Sequence, residues 1–171
     1  MTPRARQDPP TTDPVERARS LALSMLNRAP RSAADLKSRL VAKDVEADVA
    51  DAIIARYIEV GLLDDRSLAA MIARTRHAER GLAPRVIAGE LRRKGIAEDD
   101  IAAALEPLTD EVQAESARGL AEARWRRMAD LGDAVRARRL VAYLGRKGYP
   151  ATLAFALVRD LSRADSGVHE N

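Results

Sequence analysis

Residues 87–96 read Ile-Ala-Gly-Glu-Leu-Arg-Arg-Lys-Gly-Ile, in which two apolar residues four positions apart precede a lysine, a turn residue and a further apolar residue. The pattern occurs twice more, as Leu36, Leu40, Lys43, Asp44 and Val45 and as Leu140, Leu144, Lys147, Gly148 and Tyr149. The lysines of successive copies of the pattern lie 51 and 53 residues apart. A period of this size indicates stacked helical units that bury their apolar faces against one another. We therefore predict an all-α fold of three tandem three-helix repeats that form an elongated, curved molecule.

Composition agrees with a helical protein and excludes several classes. Hydrophobic residues make up 46% of the 171 residues, aromatic residues only 3%, and much of the apolar content is alanine and leucine. The absence of cysteine excludes disulfides and thiolate metal sites, and it agrees with a reducing compartment, so we expect a cytoplasmic protein. No apolar run approaches the roughly 18 residues of a membrane span, and residues 1–12 lack the apolar stretch of a secretory signal.

Helix start and stop signals predict nine helices. Asp13 followed by Pro14 is typical of a helix N-terminus, and Ser32 with Asp35 resembles a capping box. Asp44 stands where the later copies have glycine, in a position that favours left-handed backbone. These signals predict a disordered N-terminal tail at 1–12, three-helix units at 13–63, 64–109 and 110–163, and a disordered C-terminal tail at 164–171.

The sequence Gly61-Leu62-Leu63-Asp64-Asp65 connects the first unit to the second. We expect Gly61 to end a helix and Asp65 to cap the helix that runs to about Arg80. Two adjacent carboxylates also suit a catalytic pair or a metal site. Capping explains them better, because no histidine or further acidic residue lies at ligand spacing.

These residues resemble the RecX family of bacterial regulatory proteins. The resemblance rests on Gly61 to Asp65, Ala69, Arg80-Gly81 and the helix end from Glu90 to Ile96, and it covers roughly residues 15–161. It implies a non-enzymatic protein that binds the RecA recombinase filament on single-stranded DNA and inhibits its recombinase and ATPase activities, with some direct affinity for DNA. We expect a monomer with no cofactor, no membrane association and no small-molecule substrate.

Charge is strongly segregated along the chain, independently of the resemblance. Basic residues dominate 74–94 and 118–147, whereas 97–115 contains seven acidic residues and no basic one. At 100° per residue, the arginines of two helices lie opposite the expected core leucines, which predicts two arginine stripes that contact phosphates or acidic side chains. The candidate residues for binding recombinase or DNA are Arg74, Arg76, Arg80, Arg85, Arg92, Arg93, Lys94, Arg124, Arg126, Arg127, Arg138, Arg139, Arg146 and Lys147.

Other functions fit the sequence less well. Trp125, flanked by arginines, could stack on a nucleobase, but a role in helix packing is the better interpretation. No phosphate-binding loop or nucleophile motif occurs, so we do not expect an enzyme. The alternatives are a helix-turn-helix transcriptional regulator and a helical scaffold that binds no nucleic acid. A regulator of that kind would need base-reading amides, and the basic helices contain no asparagine or glutamine.

Overall fold

A computed structural model of the chain describes residues 13–168. Within this range the chain forms nine α-helices and no strand, so the all-α prediction is confirmed. The helices are α1 (Pro14–Arg28), α2 (Ala33–Val41), α3 (Ala47–Glu59), α4 (Asp65–Arg80), α5 (Pro84–Arg93), α6 (Glu98–Leu105), α7 (Asp110–Arg126), α8 (Asp133–Lys147) and α9 (Ala151–Val168). The tail predicted at 1–12 lies outside the described residues.

The chain divides into two compact units between Leu68 and Ala69. The first unit contains α1, α2, α3 and the first turn of α4. Its core is formed by side chains such as Leu36, Leu40, Ile53 and Tyr57, all of which are buried. The Tyr57 hydroxyl donates a hydrogen bond to a backbone carbonyl of α1. The apolar positions of the first sequence copy therefore close one small core.

Capping side chains begin α1, α2 and α4. Asp13 accepts a hydrogen bond from the backbone N–H of Val15, and Ser32 accepts one from the backbone N–H of Asp35, as the sequence predicts. Asp64 caps α4, because its carboxylate accepts from the backbone N–H of Ser67. The prediction that Asp65 caps α4 is wrong: its carboxylate accepts from the N–H of Ala33, at the start of α2. The two adjacent aspartates thus cap two different helices.

The turn residue of each repeat has left-handed backbone. The φ angles are 62° at Asp44, 74° at Gly95 and 96° at Gly148. In each copy, the apolar residue after the turn donates its N–H to the carbonyl of the last core leucine, as Val45 does to Leu40. This hydrogen bond closes the helix C-terminus. The repeated sequence pattern therefore corresponds to a repeated helix end, and the placement of aspartate at a glycine position is confirmed.

The second unit contains the rest of α4 and α5 to α9. Its core includes Ile87 and Leu91 of α5 and Leu140 and Leu144 of α8, all fully buried. Ala83, which precedes α5, belongs to the same apolar cluster as the buried side chains of α7, α8 and α9. The second and third sequence copies consequently share one compact unit.

The end of α8 meets the end of α4 and the start of α5. The backbone N–H of Ala83 donates to the carbonyl of Lys147 over 2.9 Å, and the Lys147 ammonium donates to the carbonyl of Arg80. Gly148 follows directly, and a Cβ atom there would lie 2.5 Å from the Val86 Cγ2 atom and 3.3 Å from the Ala83 Cβ atom. A side chain at position 148 would therefore clash with Val86 unless the junction shifts.

Replacing Gly148 by alanine should destabilise the protein by about 2 kcal/mol or more. A non-glycine residue in left-handed backbone costs about 1–2 kcal/mol, and the contact with Val86 adds to it. Gly61 provides the matched control, because its φ is 74° and nothing lies within 4 Å of an added Cβ atom. Urea denaturation should show a clearly larger loss for Gly148→Ala than for Gly61→Ala. Equal losses would show that the junction relaxes around the new methyl group.

The sequence prediction of a disordered tail from residue 164 is wrong for 164–168, because α9 continues to Val168. The Asp165 carboxylate accepts hydrogen bonds from the Trp125 indole N–H and from the Arg136 guanidinium, over 2.9 and 2.8 Å. These two side chains hold the last turns of α9 against α7 and α8. Residues 169–171 lie outside the described residues.

Candidate functional site

Every predicted binding residue lies in the second unit, between residues 74 and 147. Nine of the fourteen predicted side chains are exposed and form no ion pair within residues 13–168. They are Arg74, Arg80, Arg85, Arg93, Arg126, Arg127, Arg138, Arg139 and Arg146. Guanidinium groups in this state can bind an external phosphate or carboxylate without first losing an internal partner.

The α8 stripe has the geometry that the sequence predicts. Arg138, Arg139 and Arg146 are exposed, and they lie on the helix face opposite Leu140 and Leu144, which are fully buried. Acidic side chains do not neutralise this face in the described part of the chain. The stripe is therefore an uncompensated positive surface about two helical turns long.

The α5 stripe is only partly uncompensated. Arg85 and Arg93 are exposed without an ion pair in the described range, whereas Arg92 forms two hydrogen bonds to Glu98, of 2.6 and 2.9 Å. Both partners of that pair are more than half exposed, so the interaction adds little to stability. An external anion would have to displace Glu98 to use Arg92 fully.

Arg76, one of the predicted binding residues, is paired with a carboxylate inside the second unit. Its guanidinium donates two hydrogen bonds of 2.8 Å to the Glu90 carboxylate, and both side chains are largely buried. The bidentate pair joins α4 to α5. It also lowers the pKa of Glu90, chiefly through the hydrogen bonds from Arg76.

Arg124 and Lys147 are also engaged within the unit. The guanidinium carbon of Arg124 lies 5.3 Å from the centre of the Tyr143 ring, and the Lys147 ammonium lies 5.5 Å from it. Both side chains are half-buried, as is that of Lys94. These three residues are less accessible to a macromolecule than the exposed arginines are.

Trp125 is a packing residue and does not present a face for base stacking. Its side chain is 3% exposed, and the guanidinium carbon of Arg136 lies 4.0 Å from its ring centre. Arg136 is itself 7% exposed, although the sequence placed it in a basic block. Arg136 precedes Leu140 by four residues and therefore lies on the core side of α8. This spacing predicts its burial, whereas a count of charges does not.

A cleft of about 520 Å³ lies where α5, α7, α8 and α9 come together. Arg85 is exposed at this cleft, which is otherwise lined by small and apolar groups and one amide: Ala83, Gln113, Val141, Gly145, Gly148, Tyr149, Pro150 and Ala151. Its walls come from segments up to 68 residues apart, so periodicity within one helix could not reveal it.

His77 connects α4 to α7 rather than serving a chemical site. Its Nδ1 atom lies 3.0 Å from the carbonyl oxygen of Leu82, and its Nε2 atom lies 2.9 Å from the Ser116 Oγ atom. A carbonyl can only accept, so Nδ1 donates to Leu82, and Nε2 is left for the contact with the serine hydroxyl. The described residues include no group of acidic, histidine or cysteine side chains that could hold a metal ion. None of their helices is long and apolar enough to span a membrane.

The Arg76–Glu90 pair makes the stability of the protein depend on pH. A carboxyl whose pKa is lower in the folded protein stabilises the fold fully above its unfolded pKa of about 4.3, and this contribution is lost as the pH falls through the folded pKa. At pH 7, Glu90→Gln should be less stable than the wild type by about 1 kcal/mol. Denaturation at several pH values should show this difference shrinking as the pH falls below the unfolded pKa. A constant difference would contradict the assignment.

Comparison with known proteins gives concordant results. Family models for the first, second and third three-helix domains of RecX match residues 18–56, 64–105 and 111–158. The chain is 39% identical over 153 residues to a "Regulatory protein RecX" of Thermobifida fusca, covering 90% of this chain and 83% of that protein. It is 37% identical over 156 residues to the protein of the same name in Streptomyces coelicolor, with 91% and 83% coverage.

Solved structures agree with these sequence relatives. A crystal structure of RecX from Lactobacillus salivarius superposes with a TM-score of 0.76 and 25% identity, covering 88% of this chain and 97% of that one. A second crystal structure, of a regulatory protein RecX, gives a TM-score of 0.73 and 31% identity, covering 88% of this chain and 73% of that one.

Proposed function

Because this chain belongs to the RecX family of regulatory proteins, we propose that it binds the RecA recombinase filament on single-stranded DNA and inhibits its recombinase and ATPase activities. We propose further that it does so without catalysing a reaction or using a cofactor, as a monomer in the cytoplasm. The family and the regulatory role are established by the relatives. The target and the inhibition are the proposal.

The observation that best supports this function is the set of exposed, unpaired arginines on the described part of the second unit. A recombinase filament on DNA presents phosphates and acidic side chains, and both bind guanidinium groups through charge-assisted hydrogen bonds. The α8 stripe and the two unpaired arginines of α5 offer such groups on exposed helix faces. Binding of this kind is independent of base sequence and weakens as the salt concentration rises.

Inhibition would follow from binding rather than from chemistry. A protein that binds one state of the filament more tightly than another shifts the filament towards that state. The acidic segment at 97–115 lies between the two basic segments, so the second unit presents both charge signs. Complementary charge of both signs favours a protein partner over naked DNA, because phosphates repel the acidic segment.

The test is the DNA-dependent ATPase activity of RecA, measured on single-stranded DNA with increasing amounts of this protein. We expect ATP hydrolysis and strand exchange to fall, and the purified protein alone to hydrolyse no ATP. Bovine serum albumin at the same concentrations controls for non-specific effects. Unchanged RecA activity at saturating protein would refute the proposed inhibition, and intrinsic ATP hydrolysis would refute the non-enzymatic part.

A further inference from the structure

Phe155 is the one aromatic side chain among residues 13–168 that the structure leaves open to solvent. It is 60% exposed on α9, whereas Tyr57, Trp125 and Tyr149 are buried. The fifth aromatic residue, Tyr143, is half-buried and contacted by Arg124 and Lys147. The ring of Phe155 is therefore accessible to a partner without any rearrangement of the core.

Two arginines continue the same face of α9. Arg159 and Arg163 follow Phe155 at intervals of four residues, so the three side chains lie in a row at about 6 Å per step along the helix axis. Both arginines are exposed and form no ion pair within the described part of the chain. The nearest acidic residue in sequence, Asp160, is engaged by Arg118 at 3.7 Å. We call Phe155, Arg159 and Arg163 the α9 ridge.

The α9 ridge begins one helical turn after the cleft described above. Ala151 lies one turn before Phe155 and lines that cleft, and Arg85 is exposed at it. An extended chain of phosphates could therefore contact Arg85 at the cleft and the two arginines of α9 while passing the ring of Phe155. An aromatic face between cations is the arrangement with which proteins bind single-stranded nucleic acid without reading its sequence.

We propose that the α9 ridge binds single-stranded DNA, with a nucleobase stacked on Phe155 and the backbone phosphates paired with Arg159 and Arg163. This inference rests on the DNA-binding part of the proposed function and adds a defined base contact to it. The positive charge of the ridge favours a polyanion, whereas an apolar protein surface would leave both guanidinium groups desolvated without partners. The exposed ring gives the ridge a preference for unpaired bases, whose faces a duplex conceals.

The experiment compares binding of a fluorescent oligothymidylate with that of an abasic oligonucleotide of the same length at low salt. Phe155→Ala should weaken oligothymidylate binding about tenfold and leave abasic binding unchanged. Phe155→Trp should retain wild-type affinity, whereas Phe155→Leu should behave like Phe155→Ala because it lacks a π face. Arg159→Ala should weaken both oligonucleotides alike. The matched control is Ile58→Ala, which truncates a side chain with 54% exposure in the first unit and should change neither affinity.

Four results would overturn the inference. Unchanged oligothymidylate binding by Phe155→Ala would exclude stacking. If the same variant bound the filament less tightly, Phe155 would contact protein and the inference would still be refuted. Full affinity of Phe155→Leu, or an equal loss on the abasic strand, would show that the ring acts only as an apolar or structural group. Binding of neither oligonucleotide by the wild type would refute both the ridge and the DNA part of the proposed function. The RecA ATPase assay tests the remaining part separately.

Discussion

Replacing Trp125 by alanine should lower the free energy of unfolding by about 3–5 kcal/mol, the usual cost of truncating a buried tryptophan. The substitution leaves a cavity among α7, α8 and α9. It also removes the ring on which the Arg136 guanidinium lies, and the indole donor to Asp165. Arg136 would then remain buried with fewer favourable contacts, which adds to the loss. Urea denaturation followed by circular dichroism measures the effect.

Trp125→Phe is the matched control for this prediction. Phenylalanine retains most of the apolar volume and a face for Arg136, and it lacks only the indole N–H. We expect a loss nearer to about 1 kcal/mol, because Asp165 keeps its hydrogen bond from Arg136. If Trp125→Ala instead folded with wild-type stability and lost affinity for single-stranded DNA, the tryptophan would be a base-stacking residue and its packing role would be refuted.

Replacing Arg138, Arg139 and Arg146 together by alanine should weaken binding strongly while the fold remains intact. These side chains are exposed and unpaired within the described residues, and alanine has the highest helix propensity, so stability should change by no more than about 1 kcal/mol. If the stripe binds phosphates, affinity for single-stranded DNA should fall, and the salt slope should decrease by about 0.7 for each phosphate that is no longer neutralised. If it binds acidic RecA side chains, affinity for DNA should hold while filament binding falls.

A variant of the first unit separates the stripe from simple net charge. Arg17, Arg28 and Arg66 are exposed and form no ion pair within residues 13–168, so their replacement by alanine removes the same three charges elsewhere. Equal loss of binding by both triple variants would show that only net charge matters. If the α8 variant failed to fold, the stripe would be structural. If it folded and kept its affinities for single-stranded DNA and for the filament, the stripe would have no role in binding.

The repeat architecture was predictable because it depends on local rules. The lysine, turn residue and apolar residue of each copy predict a helix that ends in left-handed backbone, and Asp44, Gly95 and Gly148 adopt it. Helix caps such as Asp13 and Ser32 depend on residues two or three positions away, and these predictions are also confirmed. Interactions between residues a few positions apart can be predicted from a single sequence.

Contacts between distant segments were not predictable in the same way. Asp65 caps a helix that begins 32 residues earlier, and Asp165 anchors the end of α9 through Trp125, 40 residues away. The bidentate partner of Arg76, Glu90, lies on the next helix, so a charge count could not show that this arginine is paired within the unit. A charge count treats every arginine alike, whereas burial and partners decide which of them remain available.

Sedimentation with preformed RecA filaments on single-stranded DNA tests the central claim most directly, because it separates the filament from its components. Parallel tubes contain filament, DNA alone and RecA alone, each with the wild type or the α8 triple variant. We predict that the wild type pellets with the filament more completely than with DNA alone, that added salt reduces this binding, and that the variant remains largely in the supernatant. Wild-type protein that stays in the supernatant with filaments would contradict the account.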